Sequence, residues 1–291
     1  MGKQLRVLFL GAHLDDNDFE GGGTALKYIK AGHKVQFLSM CNGCGGHHTH
    51  TPEEIANRRY NEAQEVAKLT GIKYDVWRDV NDCEIMADLE TRKRLVRYIR
   101  EFSPDIIFAH CTNDYHADHR NAAVLVQDAS YLVIVPNFCP EVPAMKEMPV
   151  IMFFENPFKT PPFVPDVVVS IDDVIDKKYQ MYDCHVSQIY EWLPYTHGEL
   201  DKVPTDKAER LEWYRSPRIP RDRVLSVEEL AAYKTKNHSE YREAIAASRY
   251  RDLLVKRCGE KGKTALFAEA FMLSEYGKKL DESNIDELFP F

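Results

Sequence analysis

No apolar run in this chain approaches the roughly 18 residues that would span a bilayer, and no long basic run is present. Acids outnumber bases, 46 Asp and Glu against 38 Lys and Arg, for a formal charge of −8. Nucleic acid and anionic membrane surfaces are therefore poor partners, and no membrane insertion is expected. The opening MGKQLRVLFLGAH lacks a signal peptide's extended apolar region and small-residue cleavage site, and Arg6 breaks the myristoylation pattern. Seven cysteines leave one unmated in any full disulfide scheme, which suits a reducing compartment, so the expectation is cytoplasmic. Internal repeats and low-complexity segments are absent, as is a G-x-G-x-x-G dinucleotide loop.

What is present reads as a soluble α/β enzyme. At 291 residues, with 44% hydrophobic and 29% charged content, the chain can bury a large core. Apolar runs suggest strands at RVLFLGA (6–12), KVQFLSM (34–40), YDVWR (74–78), PDIIFAH (104–110), PVIMFFE (149–155) and DVVVSI (166–171). Between them lie helical patterns, GGGTALKYIKAGH (21–33), TPEEIANRRYNEAQEVAKLTG (51–71), LETRKRLVRYIREFS (89–103) and RNAAVLVQDASYLV. Thr51 stands as N-cap with Pro52 at the first helical position. Strands alternating with helices imply a Rossmann-like, mainly parallel sheet covered on both faces. From about residue 196 the chain turns charged and helical in period, so a catalytic domain over 1–195 is expected, with a helical C-terminal extension over 196–291 packed on it. FAEAFMLSEYG (267–277) is read there as a helix with a core-facing or subunit-facing stripe.

Ligands of an open parallel sheet bind beyond the carboxyl ends of its strands. Two such ends carry polar clusters. His13, Asp15, Asp16 and Asp18 follow the first strand; Asp114, His116, Asp118 and His119 follow PDIIFAH. Crowded carboxylates cost free energy unless a cation or shared protons relieve them. Two histidines and a carboxylate could supply three ligands to Zn²⁺ and leave one position open, with a spare carboxylate as base. Singly, each residue has a plainer reading: His13 as a strand-end histidine, Asp118 as an N-cap. A rival reading makes LDDND the Asp-x-Asp of a Mg²⁺-dependent phosphohydrolase, Asp16 the nucleophile and Asp18 the acid/base. It leaves the histidines idle, and imidazole favours zinc over magnesium. A third is a metal-binding homologue without turnover. CNGCGGHH (41–48) crowds its donors too closely for a separate structural zinc site; it is expected to line the pocket with His47 or His48 facing substrate.

AHLDD followed by GGGTA, with NDYHADHR further on, resembles the paired signatures of the PIG-L/LmbE family of zinc-dependent N-deacetylases. RRYNEA and CHVSQ (184–188) extend the resemblance over about residues 5–190. The resemblance implies one Zn²⁺ per chain held by His13, Asp16 and His119, with Asp15 as general base. It makes His116 the group that stabilises the oxyanion or protonates the leaving amine, and Asp118 the orienter of a neighbouring histidine. Arg59 and Asp82 match sugar-contacting positions, and Tyr115 is taken as a further substrate contact. Leu14 stands where the family usually has Pro, and Asn17 where it often has an acid. The implied substrate is a small N-acetylated amino sugar or its conjugate; self-association is left open.

Overall fold

A computed structural model describes residues 3–235 and 240–291. Among them, seven strands form one sheet: β1 (Arg6–Gly11), β2 (Lys34–Ser39), β3 (Lys73–Val76), β4 (Ile106–Ala109), β5 (Val150–Phe154), β6 (Val167–Ser170) and β7 (Ala268–Leu273), in the order β3-β2-β1-β4-β5-β7-β6. β1 to β5 pair in parallel, and β7 runs antiparallel to both β5 and β6. The helices are α1 (Asp16–Lys30), α2 (Pro52–Thr70), α3 (Leu89–Phe102), α4 (Ala117–Leu132), α5 (Ile175–Cys184), α6 (Leu193–His197), α7 (Lys207–Arg215), α8 (Val227–Leu230), α9 (Tyr241–Arg249), α10 (Arg251–Cys258), α11 (Glu260–Thr264) and α12 (Ile285–Leu288), with a π-helical turn over Gln188–Trp192 before α6.

Strand alternation explains the two-sided core. Val7 and Phe9 of β1 pack with α1, α2 and α5, whereas Leu8 and Leu10 pack with α3 and α4. α2 starts where the sequence says it should: Thr51 and Glu54 form a capping box, Pro52 opens the helix, and Gly71 closes it at φ 80°.

The structure differs from expectation at two points. α1 begins at Asp16 and not at Gly21, so Gly21–Gly23 lie in its interior and not at its start. The reason is steric. A Cβ on Gly21 would stand 2.5 Å from the Phe9 ring, and one on Gly23 2.8 Å from Ile171. The glycines let the helix backbone settle onto the strands. The second correction concerns 267–277, read as helical. Its residues 268–273 are a strand inserted between β5 and β6, edge-free and buried for most of its length. The stretch beyond 196 therefore completes the sheet as well as packing on it.

The first crossover runs β1–α1–β2–α2–β3 outward on one side, and the chain then returns to β4 on the other side of β1. The strand order reverses between β1 and β4, where an open α/β sheet has its ligand crevice.

Candidate active site

The β1 and β4 ends carry the two polar clusters to that crevice. Their donor atoms converge. His13 Nδ1 is 3.1 Å from His119 Nε2, Asp16 Oδ2 is 3.4 Å from His13 Nδ1, and Asp16 Oδ1 is 3.4 Å from His119 Nε2. A four-coordinate zinc with bonds of about 2.0–2.1 Å sets neighbouring ligand atoms about 3.3 Å apart. The residues fit such an ion in spacing and in donor type.

Hydrogen bonds behind each ring decide which nitrogen is free. His13 Nε2 lies 3.1 Å from Asp82 Oδ1 and 3.3 Å from Asp118 Oδ2, and His119 Nδ1 lies 3.0 Å from Asp114 Oδ1. Each far nitrogen donates to a carboxylate, so the lone pairs of His13 Nδ1 and His119 Nε2 face one another. This is the carboxylate–histidine arrangement typical of metal ligands. His116 is opposite in sense. Its Nδ1 accepts from the Asp118 backbone N–H at 3.1 Å as it caps α4, so the proton of the neutral ring sits on Nε2. That ring has a donor to offer, not a lone pair.

The electrostatics agree. Burial opposes charge on His13, but Asp16, Asp118 and Asp82 outweigh it and hold its pKa well above the ordinary value. His119 is likewise penalised by burial, yet Asp16 and Asp114 raise it to about 10. Burial alone would raise Asp16, but His119, His110 and His13 keep it well below the carboxylate range. The pocket thus binds positive charge strongly. His116 is lowered by burial and by the neighbouring His13 and His119, so it is neutral at neutral pH.

Asp15, adjacent to Asp16 in the chain, faces elsewhere. Arg59 Nη2 donates to its Oδ1 at 2.8 Å, and both line a cleft of about 670 Å³ whose floor includes His13, Asp16, His116 and His119. Pockets for drug-sized ligands span about 300–1,000 Å³. Tyr115 stands at the rim, 74% exposed. Trp192 and Leu193, from the π-helical turn and the start of α6, line another part of the wall. Asp82 also lines the cleft, but its Oδ1 is near His13 and its Oδ2 accepts from Gly45 N at 3.2 Å.

Several expected residues lie elsewhere. His47 and His48 do not line the cleft: His47 Nε2 pairs with Glu191 at 2.9 Å and His48 stacks on Tyr195 with ring centroids 4.0 Å apart. Arg58 holds the same Glu191 through two bonds, which draws this loop sideways and leaves Gly45 and Gly46 against the cleft. Asp18, the acid/base of the phosphohydrolase reading, is 0% exposed. It is 2.9 Å from the Tyr74 hydroxyl and 3.3 Å from His185 Nε2, behind the site, where it cannot exchange protons with a substrate. Of the CHVSQ element, Gln188 reaches the cleft and donates to Gly46 O at 2.9 Å, and Ser187 Oγ donates to Glu62 at 2.6 Å.

Two residues at the site carry contacts that the sequence reading did not assign. Asp114 fixes His119; the sequence placed it in the second polar cluster without giving it a role. His110, the last residue of the PDIIFAH segment, reads in sequence as a strand end, yet its Nε2 is 3.0 Å from Asp16 Oδ2.

The fold and crevice define a Rossmann-like α/β protein with a His/Asp donor centre at the strand-order reversal. Residues 8–130 match the PIG-L family, GlcNAc-PI de-N-acetylase. Diacetylchitobiose deacetylase of Thermococcus kodakarensis is 30% identical over 202 residues, covering 65% of this chain and 74% of that protein. A 4-oxalmesaconate hydratase of Pseudomonas putida KT2440 is 25% identical over 207 residues, covering 68% and 80%. Among solved structures, an N,N'-diacetylchitobiose deacetylase from Pyrococcus horikoshii shares the fold at TM-score 0.62 with 21% identity, covering 92% of this chain and 83% of that one. This chain belongs to the PIG-L family and is an enzyme.

Proposed function

We propose that this enzyme is a zinc-dependent hydrolase, one ion per chain, that removes the acetyl group from the nitrogen of an amino sugar or amino-sugar conjugate in the cytoplasm. The observation that carries the reading is the triangle of His13 Nδ1, Asp16 and His119 Nε2, whose lone pairs are aimed by carboxylates behind each ring. Those three residues would hold the ion. When bound, zinc acidifies a water and polarises the amide carbonyl.

The remaining chemistry belongs to side chains. Asp15, with one oxygen held by Arg59, is the base that takes a proton from the attacking water. The same carboxyl then passes that proton to the departing nitrogen. His116, neutral and protonated at Nε2, donates a hydrogen bond to the oxygen on which negative charge develops. Asp118 serves twice: its backbone N–H fixes the His116 tautomer, and its carboxylate lies on His13. Tyr115, Asp82 and Arg59 stand at the cleft for substrate contacts.

A hydratase activity, as carried by the Pseudomonas putida relative, would use the same water-activating groups. Charge argues against a substrate with several carboxylates. The two arginines lining the cleft are each already paired, Arg59 with Asp15 and Arg242 with Glu20. A neutral amide asks for no free cation.

The test is a panel of acetamido sugars and their conjugates, assayed for released amine and acetate with chelator-stripped enzyme, then after returning Zn²⁺ or Mg²⁺. Zinc should restore turnover and magnesium should not. No amine from any member, or recovery with magnesium alone, overturns the reading.

A further inference from the structure

His110 is buried against the candidate metal centre and has no role in the chemistry above. It is 3% exposed and follows β4 directly. Its Nε2 is 3.0 Å from Asp16 Oδ2 and 3.2 Å from the Ala12 backbone nitrogen. The Ala12 backbone N–H points at the same nitrogen, and a bare Nε2 would accept from it; a protonated Nε2 instead donates to the nearer carboxylate of Asp16, and that charge-assisted bond is the stronger of the two. The flat of the ring lies on His119, centroids 3.9 Å apart and 19° from parallel, and its far side meets the edge of Phe154 at 5.4 Å. His110 therefore touches two of the three side chains in the donor triangle, one by hydrogen bond and one by stacking.

The hydrogen bond matters because of what Asp16 must do. Asp16 is the first residue of α1, and the contacts of its two oxygens set the rotation of its carboxylate about χ2. Oδ2 accepts from the His13 backbone N–H at 2.7 Å and, with His110 protonated at Nε2, from that ring at 3.0 Å. Two donors on Oδ2 set the plane of the carboxylate and leave Oδ1 toward His119. Removing one donor lets the carboxylate turn.

We propose that His110 is a positioning residue that orients Asp16 for metal binding through its Nε2–H donor, with the ring stack secondary. This rests on the reading of Asp16 as a metal ligand. It separates cleanly from a packing role, because the two functions of the ring can be removed one at a time. His110→Gln keeps an N–H donor at about the reach of Nε2 but gives up the stack. His110→Phe keeps the stack on His119 and Phe154 but has no donor.

The experiment measures zinc affinity by competition against a chromophoric chelator on metal-stripped wild type, H110Q and H110F, with the melting temperature of each stripped protein alongside. Loss of an outer hydrogen bond to a metal ligand typically weakens binding 10- to 100-fold. H110F is expected to fall in that range, and H110Q to stay within a few-fold of wild type. If H110F binds as tightly as wild type while H110Q is weakened, the stack is what matters and the proposal is overturned. If both variants bind like wild type, His110 positions nothing. If H110F weakens but its stripped melting temperature also collapses, H110Q alone decides: affinity near wild type in a protein missing the stack supports the donor. Wild type that binds no zinc at all defeats the earlier reading of Asp16 and not the hydrogen-bond argument, which the change in the His110 ring-proton NMR resonance between wild type and Asp16→Asn would then report.

Discussion

Asp15 and Asp16 are neighbours in the chain, yet different contacts divide their work. Asp16 faces His13, His119 and His110, and Asp15 is held by Arg59. Replacing Asp15 by Ala would strand the buried Arg59 guanidinium, and removing one partner of a buried pair costs about 3–5 kcal/mol. Asn is the cleaner probe because it still offers an oxygen to Arg59. Asp15→Asn is expected to keep its zinc and lose roughly 10²- to 10⁴-fold in kcat, the range for a positioned general base. Asp16→Asn is expected to lose zinc as well. Metal content and turnover of the two purified variants check this, and equal zinc loss in both would refute the division. Both acids were legible in the sequence as members of one cluster. The division between them came from the family resemblance alone; residue patterning did not give it, because neighbours in a chain diverge according to partners such as Arg59 and His110 that come from other elements.

At the scale of the element, α1 shows how packing overrides local signals. Three consecutive glycines are poor helix formers, each costing about 1 kcal/mol against Ala in a helix interior, and the sequence reading set them at the helix start. Here they are inside the helix because Phe9, Ile171 and Met181 occupy the space their side chains would need. Gly21→Ala should therefore run against propensity. At an exposed helical site the change would stabilise; at Gly21 the new Cβ meets the Phe9 ring, and overpacking a fitted core costs about 1–3 kcal/mol. Urea denaturation of Gly21→Ala measures it, and an increase in stability would show that α1 can lift off β1 freely. The other strands and α2 to α4 were legible because their periods agreed with the final fold, and in α2 the caps did too, whereas α4 is capped by His116 and not by Asp118. β7 was not. Its alternation is blurred by burial on both faces, and its aromatic and aliphatic spacing also suits a helix.

That hidden strand governs the whole molecule. β7 joins β5 to β6, and its Glu269 reaches α1, accepting from the backbone N–H groups of Gly23 at 2.8 Å and Thr24 at 2.7 Å. Lys178 of α5, 1% exposed, bridges Glu269 at 2.7 Å and Glu243 of α9 at 2.9 Å. Tyr179 and Tyr182 hydroxyls add bonds to Glu243. The C-terminal segment is thus tied to the sheet domain by a buried cation between two acids. Burial opposes ionisation of Glu243, but Lys178 prevails and lowers its pKa below 4.5. Burial likewise works against charge on Lys178, and the two glutamates outweigh it and raise it above 10.5. A lowered carboxylate contributes stability that is present above its unfolded value and is lost as pH falls through the folded one. The raised lysine contributes below its unfolded value and loses that only as pH climbs through the folded one. The tie is therefore intact across neutral pH and fails on the acid side. Glu243→Gln keeps the shape but leaves Lys178 with one carboxylate, Glu269, beside the Phe19 carbonyl, at a cost on the order of 3 kcal/mol near pH 7. Denaturant titrations of wild type and variant at steps from pH 7 downward should show that gap narrowing once the pH passes below the glutamate's unfolded value, because the wild type loses what the variant never had. A gap that stays constant into acid would mean that hydrogen bonds to Tyr179 and Tyr182, and not the charge on Glu243, hold the C-terminal segment to the sheet.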